Sequence, residues 1–192
     1  MPLIMGILAQ GVGAAPTAAG AYDLLETVEP SSVSSVTFTG LGAYSDYRHL
    51  QVRMVGRTTD TGFTAVRVLQ MTFNGDTGSN YSRHQLLGNG SSVTSGGASS
   101  TTSINANNVL PADDTVANSY GVAIIDILDF NDINKNTTAR LMHGVLSNAT
   151  YTPNIYLSSG AWYNTSAVTS ISFAFEGKNI KTGSRFSLYG VK

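Results

Sequence analysis

The residues that could do chemistry in this chain are few, and their spacing does not predict a catalytic centre. Three carboxylates, Asp126, Asp129 and Asp132, lie three residues apart around the end of a predicted strand. With loop oxygens they could bind Ca²⁺, and the run from Asp132 to Asn136 begins like a calcium loop. Thr137 then replaces the Gly of such a loop, and the closing Glu is also missing. The pattern favours aspartates that cap a turn and accept backbone N–H bonds over a metal site.

The histidines, serines and glycines give no better case for catalysis. His49, His84 and His143 all lie in predicted strands and lack the paired spacing typical of zinc sites. There is no Gly-x-Ser-x-Gly elbow, and Gly88-Asn89-Gly90 lacks the Lys and the helix of a phosphate-binding loop. The absence of Cys excludes disulfides, thiolate metal sites and cysteine catalysis. We therefore predict a non-enzymatic protein with no catalytic residues, no cofactor and no bound metal.

Two aromatic residues are candidates for contact with a partner. Trp162 and Tyr163 end a predicted strand, and exposed rings in such places can stack on sugars or on another protein. The alternative for Trp162 is a place in the core, and the sequence does not separate the two.

Composition restricts the partners of the chain. Only 12% of the 192 residues are charged, about half the usual share, and the net charge is -1. Its 11 Lys and Arg residues are scattered, so we expect no nucleic-acid binding, which needs clustered positive charge. No apolar run approaches the roughly 18 residues of a membrane span. The first basic residue is Arg48, which does not fit a secretory signal, so we expect a soluble protein made in the cytoplasm.

The first part of the chain differs from the rest. Its first twenty residues are apolar but small, and four glycines there disfavour a helix. A disordered terminus is the alternative to an arm, but disordered tails are usually polar. We therefore predict an extended N-terminal arm, residues 1–30, followed by a β-sandwich domain, residues 31–192. The arm is expected to bind a partner chain through its apolar tip, which consists of Pro2, Leu3, Ile4, Met5, Ile7 and Leu8.

From Ser31 onward, apolar and polar residues alternate with the period of two that is typical of strands. Residues 121–129 are apolar on both faces, which predicts a central strand covered on both sides. Asn74-Gly75 is a hairpin turn signal. Residues 88–108 are predicted to form a long polar loop, and residues 24–29 one helical turn. The pattern predicts an all-β fold, an antiparallel β-sandwich or jelly roll of about 8–9 strands.

Three stretches resemble structural proteins of tailed-bacteriophage virions. They are Tyr22-Asp-Leu-Leu-Glu26 with Val36-Thr-Phe-Thr-Gly-Leu and Tyr47-Arg-His-Leu50, then Phe73-Asn-Gly-Asp-Thr-Gly-Ser-Asn-Tyr-Ser-Arg-His84, and finally Ile171-Ser-Phe with Gly183-Ser-Arg-Phe-Ser-Leu-Tyr-Gly-Val191. The resemblance spans most of the chain and is to small capsid decoration or cement proteins and to tail and neck appendages. It implies a β-sandwich that self-associates, often as a homotrimer, and an arm that reaches a neighbouring subunit. It identifies no functional residue.

The leading hypothesis is a capsid decoration protein of the virion. Its partners would be other copies of itself and the major capsid protein or other virion proteins, whose contacts stabilise the capsid surface. The alternative is a tail or neck appendage, such as a fibre or receptor-binding protein, which contacts host glycans through the 88–108 loop and Trp162. A hydrolase that digests host surface polymer has no supporting motif.

Overall fold

The computed structural model describes residues 20–61, 66–112, 117–145 and 154–192, which form two packed antiparallel sheets. The predicted arm tip lies outside these ranges. The strands are β1 (Tyr22–Val28), β2 (Ser35–Thr39), β3 (His49–Gly56), β4 (Val66–Phe73), β5 (Tyr81–Gly88), β6 (Val93–Thr101), β7 (Ile104–Pro111), β8 (Gly121–Leu128), β9 (Thr137–Val145), β10 (Asn154–Trp162), β11 (Ser170–Ala174) and β12 (Arg185–Val191). A single 3-10 turn, Leu41–Tyr44, precedes β3.

The larger sheet has eight strands in the order β1-β12-β3-β8-β9-β10-β5-β6, and the smaller has four in the order β2-β11-β4-β7. This arrangement confirms the predicted all-β fold and its β-sandwich character. The strand number of about 8–9 was too low, because β1, β6 and β7 lie in stretches without a clear alternation. None of the helices in the described ranges is long and apolar enough to cross a membrane.

The chain enters the larger sheet earlier than residue 31. β1 pairs with β12 from Tyr22 opposite Val191 to Val28 opposite Phe186. Leu25 and Val28 pack against the core, and this burial holds the segment extended. The predicted helical turn at 24–29 is therefore wrong, and the predicted arm boundary at residue 30 is too late.

The stretch predicted as a long polar loop, residues 88–108, is mostly strand. It contains β6, which pairs with β5, and the first part of β7, which pairs with β4. Ser, Thr, Asn and Gly satisfy a ladder of backbone hydrogen bonds as well as other residues do, but they give no alternation in the sequence.

The turn at Asn74-Gly75 forms as predicted, but it does not close a hairpin. Both residues have positive φ, 52° and 68°, and the Asp76 N–H donates to the Phe73 carbonyl over 2.9 Å. Glycine and asparagine tolerate this conformation best. The strands on either side, β4 and β5, belong to different sheets. The turn therefore carries the chain from one layer of the sandwich to the other.

The core between the sheets is built on two aromatic clusters. Phe173 packs against Phe38 and Phe186, with ring centroids 6.3 and 5.9 Å away. Trp162 packs against Phe73 and Tyr81, with centroids 5.7 and 6.4 Å away. These six rings are almost completely buried and join inner-facing residues of both sheets.

The prediction that residues 121–129 are covered on both sides is wrong. The inner residues of β8, among them Ile125 and Ile127, are buried, but Val122 and Ile124 on the outer side are exposed. β8 is central in the order of its sheet, yet no described element covers its outer face.

Candidate interaction surface

The outer face of the larger sheet carries a continuous row of apolar side chains. Ile124, Met142, Leu157 and Leu86 stand directly opposite one another on β8, β9, β10 and β5. Residues that are opposite in an antiparallel pair have Cβ atoms about 5 Å apart. The row is therefore one unbroken apolar strip about 15 Å long.

A second row lies beside the first and is interrupted by glycines. It runs from Val122 through Gly144, Ile155 and Gly88 to Val93. The residues opposite Ile155 on the two neighbouring strands are glycines, Gly144 and Gly88. The Ile155 side chain therefore projects alone, and we call it the knob. We call the seven apolar residues of the two rows the apolar face; they are exposed by between 38% and 69% and comprise Val122, Ile124, Met142, Ile155, Leu157, Leu86 and Val93.

Shallow depressions flank the knob. One, of about 200 Å³, lies between Ile155 and the side chains of Val122, Ile124 and Met142. Another, of about 290 Å³, lies on the side of Leu86 and Val93. A knob between two depressions is a relief into which a complementary protein surface can interlock.

Alternation explains why these residues point outward. On β9, Leu141 and His143 face the core, so Met142 between them faces out. On β10, Tyr156 and Ser158 face the core, so Ile155 and Leu157 face out. The inward-facing side chains of these strands form the core. The outward-facing side chains are not covered by any other part of the described chain.

A polar rim borders the apolar face on one side. In the next row, Asp126 accepts hydrogen bonds from the Gln51 amide over 2.8 Å and from the Arg140 guanidinium over 2.9 Å. The Arg53 Nε donates to the Gln51 side-chain oxygen over 2.8 Å, and its guanidinium lies over the ring of Tyr189 at 4.5 Å. An apolar centre beside a paired, hydrogen-bonded rim is the usual anatomy of a protein interface.

The three carboxylates considered for Ca²⁺ are engaged by cations of the protein. Asp129 accepts from Arg48 Nε over 2.9 Å and from Lys135 Nζ over 2.5 Å. The hydrogen bond from Lys135 is the main cause that holds the pKa of Asp129 below its ordinary value. Asp132 lies 3.3 Å from the same Lys135 ammonium, while Asp126 belongs to the rim. Nowhere in the described chain do three or more acidic or histidine groups form a cluster that could hold a metal ion.

The three histidines lie apart from one another. The Nδ1 of His49 accepts the Asp129 backbone N–H over 2.9 Å. His84 faces outward and its ring lies over Gly97. A Cβ atom placed on Gly97 would lie 2.8 Å from that ring. His143 is buried, stacks on Tyr156 at 4.8 Å, and has its Nε2 3.1 Å from the Ser158 hydroxyl. Burial lowers the pKa of His143 to about 4, so this ring is neutral at physiological pH.

The predicted surface contact at Trp162 is wrong, because the residue lies in the core. Only 1% of Trp162 is exposed, and its indole N–H donates to Asp76 over 2.7 Å. That hydrogen bond is the main cause of the lowered pKa of Asp76. Tyr163, which is 55% exposed, faces solvent, and its hydroxyl donates to the Ser82 hydroxyl oxygen over 3.0 Å. Its role as a surface contact stays a prediction.

Comparison with known protein families, curated proteins and solved structures gives no match for this chain. The candidate site therefore rests on its own geometry. The apolar face was missed in the sequence, although a signal was present: on β8, Val122 and Ile124 alternate with Ala123 and Ile125, which are also apolar. Two apolar sets on one strand indicate either cover on both sides or an exposed apolar surface, and periodicity alone does not choose between them.

Proposed function

We propose that this protein is a non-enzymatic structural protein that docks onto a larger assembly through the apolar face of its eight-stranded sheet. The observation that carries the proposal is the in-register strip of Ile124, Met142, Leu157 and Leu86. The largest contiguous apolar patch on a protein surface is often a functional interaction site. The low charge of the chain favours dense packing beside other subunits, where like charges repel.

The apolar face suits many weak contacts better than one strong contact. It covers five strands and two rows of side chains. With the usual strand spacing and rise per residue, this corresponds to an area of about 300 Å². A stable interface needs about 800 Å² from each partner, so the polar rim must also take part. Docking at one site is then weak, and many copies on one shell gain from acting together.

The setting that we propose is the virion of a tailed bacteriophage, on the strength of the resemblance in the three stretches described above. Within the virion, we propose the capsid surface, since a broad sheet face with little charge suits packing among many identical subunits. The protein would act as a decoration or cement protein that binds the major capsid protein or another virion protein. The apolar tip of residues 2–8 is proposed as a second contact, to a neighbouring subunit.

A double variant that removes the side chains of Ile155, the knob, and of Leu157, in the adjacent strip, tests the docking. In the double variant Ile155→Ser and Leu157→Ser, each lost side chain costs about 1–2 kcal/mol of contact. We expect the affinity for particles that lack the protein to fall by about 30–1,000-fold. The free energy of unfolding changes by less than about 1 kcal/mol, since both residues face solvent. Co-sedimentation with the particles measures the affinity.

Ile133→Ser is the matched control for that experiment. Ile133 is also apolar and exposed, but it lies in the loop before β9, outside the apolar face. The control is expected to bind like the wild type. If the double variant binds as tightly as the control, the apolar face is not the docking surface and the proposal is wrong.

The number of copies of this chain in each virion distinguishes a location on the capsid from a location on the tail. Quantitative mass spectrometry of purified particles gives the ratio of this chain to the major capsid protein. A decoration protein is expected at a simple fraction of the capsid subunits. A ratio of a few per cent moves the protein to the tail or neck, and absence from particles refutes the virion setting. The glycan-binding alternative has lost both of its supports, because Trp162 is buried and residues 88–108 are mostly strand.

A further inference from the structure

We infer that β6 is the site at which two copies of this chain pair, antiparallel and about a two-fold axis, to join their larger sheets into one. The inference rests on the edges of the two sheets, not on the apolar face. It goes beyond the proposed docking function, because it names a second copy of this chain as the partner at a separate surface.

An edge strand offers unpaired N–H and C=O groups to any other strand, and natural proteins protect such edges. Three of the four edges have protection of this kind. β1 carries Asp23 and Glu26 and a register shift between Leu24 and Glu26. β2 is short, with five residues. β7 ends at Pro111, and its pairing with β4 shifts register between Arg67 and Leu69.

β6 lacks these devices over its first six residues. From Val93 to Ala98 it pairs with β5 without a register shift, from Gly88 to Arg83. The segment Val-Thr-Ser-Gly-Gly-Ala contains no charge and no proline. Its side chains are exposed on both faces except at Ala98, so the opposite sheet does not cover it. Among the described strands, β6 has a neighbour on one side only.

The partner that fits this edge is β6 of a second copy. A strand added here must be uncharged and must itself have a free edge. Among the edge strands of the described residues, β6 is the one that is uncharged, longer than five residues and free of proline. Two identical strands pair antiparallel about a two-fold axis perpendicular to the sheet. Small Ser, Thr, Gly and Ala side chains meet across such a pair without charge repulsion.

The pairing has a consequence for the apolar face. A two-fold axis perpendicular to the sheet leaves the outer faces of both copies on the same side. The result is one sheet of sixteen strands, twice the eight of a single copy. Val93, the outermost residue of the apolar face, lies on β6. Each apolar face therefore ends beside the line where the two sheets meet. The dimer therefore presents two apolar faces together, and its docking is bivalent.

Lysine on the exposed edge tests the pairing. Ser95→Lys places a charge on the outer side of β6, and Thr94→Lys places one on the other side. Both positions are exposed, so the fold tolerates the change. In the full-length protein, sedimentation velocity is expected to show a dimer for the wild type. We expect the dissociation constant to rise at least tenfold in either variant, since the two copies bring like charges together.

Ser166→Lys is the matched control, because Ser166 is an exposed serine in the loop after β10. It is expected to dimerise like the wild type. Circular dichroism of each variant verifies that the sandwich has formed. The absence of cysteine adds an independent check: Ser95→Cys is expected to crosslink two chains with a short bis-maleimide, which alkylates one thiol at each end, whereas Ser166→Cys is not.

The outcomes separate this inference from the docking proposal. A monomeric or trimeric wild type, or lysine variants that dimerise like the control, overturns the β6 pairing. A trimer is the state that the resemblance implies. The Ile155→Ser and Leu157→Ser double variant is expected to remain a dimer while it loses docking. The Thr94→Lys variant, whose lysine lies on the side of β6 away from the apolar face, is expected to keep docking at the lower affinity of a single copy.

Discussion

His143 illustrates how one buried side chain links the fold to pH. Its ring lies between the sheets, stacked on Tyr156 and next to the Ser158 hydroxyl, with no cation or carboxylate among these contacts. Burial lowers its pKa to about 4 from 6.5. A protonated imidazole is therefore much less stable in the folded protein than in the unfolded chain.

The stability that depends on His143 is present above pH 6.5 and is lost as the pH falls toward 4, because only the unfolded chain takes up the proton. At 1.36 kcal/mol for each pKa unit, the full loss is about 3 kcal/mol.

Urea denaturation at a series of pH values measures this loss. We expect the free energy of unfolding of the wild type to fall between pH 6.5 and 4, and that of His143→Gln, which cannot titrate, to fall less over the same range. Comparing the two proteins removes the contribution of Asp76 and Asp129, whose lowered pKa values act at lower pH. Parallel profiles for both proteins would contradict the assignment.

Among the elements, β1 decides where a truncation becomes harmful. Removing residues 1–20 takes away the apolar tip of the predicted arm but leaves Tyr22–Val28 paired with β12. We expect this variant to keep its melting temperature and to lose particle affinity. Removing residues 1–30 also removes the packing of Leu25 and Val28 against the core. We expect this second variant to lose about 2 kcal/mol or more of unfolding free energy.

Thermal unfolding of the two truncations, followed by circular dichroism, measures the difference between them. Equal stability of both would show that β1 adds nothing to the sheet. Full particle binding by the shorter truncation would refute the role of the arm.

The elements also show what the sequence could and could not predict. The strands with one apolar and one polar face, such as β3 and β4, follow from alternation, because burial of one face imposes the period of two. β6 was missed because its backbone ladder does not depend on side chains that alternate. The apolar face was missed for the opposite reason: β8 has too many apolar residues, and the sequence does not show whether another element covers them. The burial of Trp162 depends on contacts with Phe73 and Tyr81, which approach only in the folded sandwich.

For the whole molecule, low charge predicts that docking is insensitive to salt. The net charge is -1, and the cations of the rim are paired within the protein, Arg140 with Asp126 among them. We expect particle affinity to change by less than about twofold between 50 and 500 mM sodium chloride, because few charges are screened. Sulfate is expected to strengthen binding, since it favours apolar burial. A steep loss of affinity with sodium chloride would indicate a charged interface instead.

The position of β12 has a consequence for synthesis on the ribosome. This last strand lies between β1 and β3 in the larger sheet. While residues 185–191 are still unmade, β1 has no strand to pair with and β3 has a bare edge. β1 joins the sheet only after residues 185–191 have been made, and pairing across so long a stretch of chain is slow. Chains that stop early keep an open edge that favours aggregation. Only a chain that includes residues 185–191 has β1 joined to β3 through β12, so the eight-stranded sheet depends on their synthesis.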